Sequence, residues 1–176
     1  MNILHDMSPK EVSSDKFTAV IEIPRGSKVK YELDKATGLL RVDRILYTST
    51  HYPANYGFIP RTHADDGDPL DVLVLCSETL FPMSLVTCYP IGVITMMDNG
   101  AKDEKIICIP LADPSYNDYT DISELPSHIF DEMKHFFTVY KQLEHKDTLI
   151  DDVHGAQDAK LIIAQCIDNY IEKFCK

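Results

Sequence analysis

Four carboxylates fall within seven residues at Asp65-Asp66-Gly67-Asp68-Pro69-Leu70-Asp71, immediately before the apolar run Val72-Leu73-Val74-Leu75. Charges this dense repel. A folded chain gathers them either as solvated side chains of an Asp/Gly/Pro turn or as hard oxygen ligands for Mg²⁺ or Mn²⁺. The stretch is not an EF-hand, because Gly67 is misplaced and no helical pattern flanks it. Asp66 and Asp68 are two residues apart, so in an extended stretch both carboxylates would project to one side. Pro69 biases Asp68 towards such backbone. A second acidic segment, Asp98-Asn-Gly-Ala-Lys-Asp103-Glu-Lys105, also reads by itself as a turn. Two such turns joined by strand-rich sequence can converge on one rim. Mg²⁺ is usually held by few carboxylates together with substrate phosphates and water, so the site would also need cations and hydroxyls.

Candidates for both are present. Lys30 and Glu32 share one face of an alternating stretch, and Arg44 lies on its expected hairpin partner. His51-Tyr52-Pro53-Ala54-Asn55-Tyr56-Gly57 sets two tyrosines among turn formers, where core packing is the ordinary explanation. Tyr140 falls in an apolar helical stripe and Lys141 follows it; separately they read as core and solvated surface. No GxxxxGK[ST] loop occurs, and no Ser/His or Cys/His pairing argues for a covalent intermediate.

The elements that must position these groups are strands first and helices last. Phe17-Thr-Ala-Val-Ile-Glu-Ile23 is apolar and partly β-branched and ends at Pro24-Arg-Gly26. Residues 29–33 alternate, the turn signal Asp34-Lys-Ala-Thr-Gly38 follows, and residues 39–46 return as the second arm of a hairpin. Residues 70–75, 85–97 (broken near Pro90) and 105–109 supply further strands. After Pro126, the residues Ile129, Met133, Phe136, Phe137, Tyr140 and Leu143 recur at helical spacing. From Ala156, so do Ala159, Ile163, Ile167, Tyr170 and Phe174. The pattern predicts a mainly β α+β fold with a small barrel that removes strand edges, and one domain over residues 1–176.

Composition narrows the function classes. With 44% hydrophobic and 26% charged residues, the 176-residue chain is ordinary globular material able to bury a core. Its net charge of −11, from 19 Asp and 9 Glu against 17 Lys and Arg, argues against a nucleic-acid surface. No apolar run is long enough to span a bilayer and the first residues lack a signal-peptide pattern, so a cytoplasmic protein without a membrane partner is expected. Five widely spaced cysteines without a CxxC pair suit neither a disulfide framework nor a zinc site.

Taken together, Glu22-Ile-Pro, Lys30-Tyr-Glu32, Val42-Asp-Arg44, Tyr52-Pro-Ala-Asn-Tyr56-Gly57, Asp66-Gly-Asp68-Pro-Leu-Asp71, Asp98…Asp103-Glu-Lys105 and His135-Phe-Phe…Tyr140-Lys141 resemble the family I soluble inorganic pyrophosphatases. Order and spacing agree from about residue 17 to residue 145, and Asp-Gly-Asp-Pro-x-Asp is the most diagnostic element. The resemblance implies an OB-like five-stranded barrel with packed helices, the two main ones towards the C-terminus, and a homo-oligomer, commonly a hexamer. It implies that Asp66, Asp71 and Asp103 hold the principal Mg²⁺ ions, Asp71 being shared, with Mn²⁺ or Zn²⁺ as substitutes. Asp98 and Glu32 would contact further metals. Lys30, Arg44, Tyr56, Lys105, Tyr140 and Lys141 would grip phosphoryl oxygens, Glu22 and Tyr52 would line the cavity, and Asp68 would be the general base. Two departures stand out. Asn99 occupies a position where bacterial members often have Glu, and residues 146–155 lack the Trp that relatives often carry there.

The reaction expected is hydrolysis of pyrophosphate to two phosphates by in-line attack of a metal-activated water. The rivals are a catalytically silent OB-like binding module, which leaves both acidic turns without a purpose, and a metal phosphohydrolase acting on nucleotides.

Overall fold

A computed structural model of the chain describes residues 2–175. After a single helical turn α1 (Ile3–Asp6), strand β1 (Phe17–Ile23) is buried throughout. β2 (Val29–Leu33) and β3 (Leu40–Ile45) form a separate two-stranded ribbon in which Lys30 stands opposite Arg44, with a register shift between Lys30 and Tyr31. The main sheet is completed by β4 (Asn55–Ile59), β5 (Leu70–Val74), β6 (Leu85–Asp98), β7 (Ala101–Lys102), β8 (Lys105–Pro110) and β9 (Thr148–Gly155). Pairings run β1-β4-β5-β8-β6 and return from β6 to β1, so five strands form a ring. The β5–β8 pair is parallel and the other pairs of the ring are antiparallel. The ring removes the open edges that the five strands would otherwise expose.

β1, β5, β8 and the middle of β6 are largely apolar because both of their faces are covered. Neighbouring residues point to opposite sides. Leu73, Ile94 and Ile107 join a core with Phe130, Met133, Phe136 and Phe137 of α2 (Ser127–Val139). Val72, Val93 and Ile106 join a second core with Ala159, Ile163 and Cys166 of α3 (Ala156–Phe174). The ring closes tightly at Gly57 on β4, where a Cβ atom would stand 1.8 Å from the Val20 carbonyl oxygen of β1.

Several expectations need correcting. β6 runs through Pro90, and the break is a register irregularity between Pro90 and Gly92. α2 stops at Val139 instead of carrying its stripe to Leu143, which is 60% exposed. A short turn, Gln142–Glu144, follows and ends at His145 in left-handed backbone with φ +57°. Phe174 is likewise exposed at the end of α3's stripe. Three strands lie outside the sequence pattern, one being the two-residue β7 within the second acidic turn. β4 lies within the Tyr-Pro-Ala-Asn-Tyr-Gly segment, whose turn formers mask it, and β9 is acidic and defined by pairing along β6. Cys76, Cys88, Cys108 and Cys166 are buried free thiols and Cys175 is exposed and free. Among the described residues no helix is long and apolar enough to cross a membrane.

Candidate active site

β5 and β8 run parallel with Asp71 beside Lys105, which puts a carboxylate and an ammonium at one end of the ring. Asp71 Oδ2 accepts hydrogen bonds from Lys105 Nζ at 2.7 Å and from the Tyr56 hydroxyl at 2.5 Å. Tyr56 is on β4, which pairs with β5 from the other side. Lys105 Nζ also donates to Asp103 Oδ1 at 2.6 Å, so one ammonium joins the two acidic turns. Lys105 is only 3% exposed and lies 5.5 Å above the Tyr56 ring and 5.6 Å from that of Phe137, a cation–π setting. The abrupt end of α2 delivers Lys141, whose Nζ donates to Asp98 Oδ2 at 2.5 Å.

These groups surround a cavity of about 270 Å³. Its lining includes Glu22, Lys30, Glu32, Tyr52, Tyr56, Asp66, Asp68, Asp71, Asp98, Asp103, Lys105, Tyr140 and Lys141. Arg44 does not line it. Arg44 stands on the ribbon behind Lys30 and is held by Asp43 at 2.5 Å and Glu144 at 3.1 Å. The residues that sequence reasoning missed are Asp43, Glu144 and Lys35, the last lining the cavity and pairing with Asp68. None of the three carried a usable signal, because charged residues on a hairpin or short turn look solvated until the ribbon's place over the cavity is known.

The extended reading of residues 66–68 does not hold. The segment is a turn with Gly67 at φ +91°, and Asp66 Oδ1 accepts from the Asp68 N–H at 3.0 Å. One Asp66 oxygen is therefore taken by its own loop while Asp68 pairs with Lys35, and both residues line the cavity.

Electrostatics follow burial. Desolvation pushes the Glu22 carboxyl up to about 8, against the Leu33 N–H that it accepts and with Asp71 and Glu32 adding to the rise. Burial also raises Asp66 above the usual carboxylate range, in spite of the Asp68 N–H. Burial works against charge on Lys105, but Asp71 and Asp103 outweigh it and hold its pKa above the ordinary lysine value. Tyr52, Tyr56 and Tyr140 are all raised by burial, so their hydroxyls remain protonated donors at neutral pH.

The donor set suits a hard divalent cation. It consists of carboxylate oxygens without thiol or imidazole, the type that Mg²⁺ prefers. Asp98 Oδ1 and, at the ribbon, Arg44 Nη2 are buried with no hydrogen-bond partner among the described residues, which leaves one acceptor and one donor for groups brought from outside. Among the described residues no three side chains already form a ligand cluster. The carboxylates are instead occupied by Lys105, Lys141, Lys30 and Lys35.

A family profile described as inorganic pyrophosphatase matches residues 19–171. A soluble inorganic pyrophosphatase 2 from Chlamydomonas reinhardtii is 51% identical over 170 residues, covering 97% of this chain and 88% of its own length. Among solved structures, an inorganic pyrophosphatase from Helicobacter pylori superposes with a TM-score of 0.89 at 39% identity, covering 94% of this chain and 99% of that one. One from Thermus thermophilus gives 0.87 at 34%, covering 97% and 99%.

Proposed function

This chain belongs to the inorganic pyrophosphatase family and hydrolyses inorganic pyrophosphate to two phosphates; we propose that it does so with Mg²⁺ held in the cavity and by direct attack of water. The observation that carries the reading is the convergence of carboxylates from two separate turns with buried ammonium and phenol donors around one small cavity. Asp66, Asp71 and Asp103 would hold the principal cations, Asp71 shared between two, with Asp98 and Glu32 contacting others. When bound, such cations neutralise the anionic substrate and lower the pKa of water.

The chain's own residues do the rest. With cations on Asp71, Asp103 and Asp98, Lys105 and Lys141 would be free to donate to phosphoryl oxygens. Lys30, Tyr56 and Tyr140 complete the donor set around the cavity and stabilise the charge that develops on the departing phosphate, with Arg44, opposite Lys30 on the ribbon, joining them only by leaving Asp43 and Glu144. Strand pairing sets the backbone of Lys30, Arg44, Tyr56 and Lys105, and the end of α2 that of Tyr140 and Lys141, which supports this reading. Glu22 and Tyr52 shape the wall. Asp68, held only at the rim, is the carboxylate available to take the proton from the attacking water. No covalent intermediate is needed.

We further propose one domain spanning residues 1–176, working in the cytoplasm as a homo-oligomer, commonly hexameric, without nucleic-acid or membrane partners. The charge of −11 supports the absence of a nucleic-acid partner.

The test is phosphate release from pyrophosphate and from ATP, each with Mg²⁺. Pyrophosphate should be turned over far faster than ATP. Equal rates would assign the site to nucleotides instead.

A further inference from the structure

The ribbon tip carries Lys35 in a braced turn. Asp34 Oδ1 accepts from the N–H groups of Ala36 and Thr37 at 2.9 and 3.2 Å, and the Gly38 N–H donates to the Asp34 carbonyl at 2.8 Å, Gly38 having φ +72°. The base of that turn is tied to the ring where Glu22 Oε1 accepts the Leu33 N–H at 2.7 Å. These hydrogen bonds restrain the tip backbone, whereas the exposed four-carbon Lys35 stem is free to change rotamer.

That stem lies along the cavity, and its ammonium pairs with Asp68 Oδ1. Among the described residues no other cation is within ion-pair distance of Asp68. The contrast with the deeper pairs is in solvation. Lys105 is buried between two carboxylates, whereas the Lys35 and Asp68 side chains are 56% and 61% exposed. A pair in water contributes little, so it exchanges at small cost when a stronger anion comes within reach.

Building on the pyrophosphate reading of the cavity, we propose that Lys35 is an additional substrate-binding residue that exchanges partners. It holds Asp68 in the free enzyme and swings to the outer phosphoryl oxygens when pyrophosphate is bound. The same movement grips the substrate and releases Asp68. Phosphoryl oxygens carry more charge than one carboxylate and accept stronger charge-assisted hydrogen bonds, which gives the swing its direction.

The experiment compares wild type, Lys35→Met and Lys35→Arg in the full chain with Mg²⁺. It measures KM and kcat for pyrophosphate, calorimetric affinity for imidodiphosphate and melting temperature. Lys35→Met should raise KM and weaken imidodiphosphate by about tenfold, the scale of one charged contact. Its kcat should change far less, its melting temperature should not change, and Lys35→Arg should recover most of the affinity. Unchanged KM and affinity in Lys35→Met overturn the inference and leave the cavity reading intact. So does an Arg variant as impaired as the Met variant. A wild type that neither binds imidodiphosphate nor hydrolyses pyrophosphate overturns both.

Discussion

Asp68 and Asp71 sit three residues apart in environments that fit different work. Asp71 is fixed by the Tyr56 hydroxyl and the buried Lys105 ammonium, whereas Asp68 meets a single lysine at the rim. If Asp68 is the general base, Asp68→Asn should lower kcat by about 10²–10⁴-fold, the usual contribution of such a group. Mg²⁺ affinity should change little, because the amide keeps the shape and one acceptor oxygen. Calorimetric Mg²⁺ binding beside kcat for that variant checks this; parallel losses would make Asp68 a ligand. Glu22 gives a prediction about pH. Its folded pKa, about 8, lies above the ordinary value of 4.5, so the folded protein binds this proton more tightly than the unfolded chain does. Its stabilisation is fully present below about 4.5 and is lost as pH rises through about 8. Glu22→Gln keeps the acceptor for the Leu33 N–H and carries no charge to desolvate. In chelator, the wild-type melting temperature should therefore fall relative to the variant between about pH 5 and pH 8. Parallel pH profiles would contradict the assignment.

At the scale of elements, the cavity depends on how closely β1 and β4 approach. A Cβ atom at Gly57 would stand 1.8 Å from the Val20 carbonyl oxygen, and backbone cannot yield as a side-chain tip can. Gly57→Ala should cost about 3 kcal/mol or more, read as a lowered melting temperature; a melting temperature unchanged from wild type would show that the two strands have room to separate. The same elements show what a sequence conveys. β2 and β3 were legible because alternation and an Asp…Gly turn mark a hairpin, and Lys30 and Arg44 do meet across it. β4 was hidden because Pro53, Asn55 and Gly57 are turn formers locally, and only pairing with β1 and β5 makes that stretch a strand. β9 was hidden because it is half exposed and acidic, with seven residues registered on β6, a partner about fifty to sixty positions away. The two acidic turns could be found by composition, but their junction through Lys105 could not, since the register of β5 against β8 decides it. Lys35 was unreadable for a related reason. A lysine in a turn looks solvated until the ribbon's position over the cavity is known.

At the scale of the molecule, a chain of net charge −11 has to hold a strongly anionic substrate. The deeper lysines are already partnered by carboxylates, so bare attraction cannot supply the binding. Divalent cations held by these carboxylates would resolve the conflict, supplying positive charge and leaving the ammonium groups for the substrate. Exposed apolar side chains such as Phe81, 85% exposed, and Leu85 also suit burial between subunits. Light scattering should find a species several times the 20.0 kDa chain mass, and a monodisperse monomer at micromolar concentration would refute the oligomer. The dependence on divalent cation is tested most directly by titrating Mg²⁺ into chelator-stripped protein while following phosphate release from pyrophosphate, in wild type and Asp71→Asn. Wild-type activity should rise from background to saturation with Mg²⁺, and the variant should remain near background over the same range. Full wild-type activity without divalent cation, or a variant with the wild-type Mg²⁺ dependence, would contradict the account.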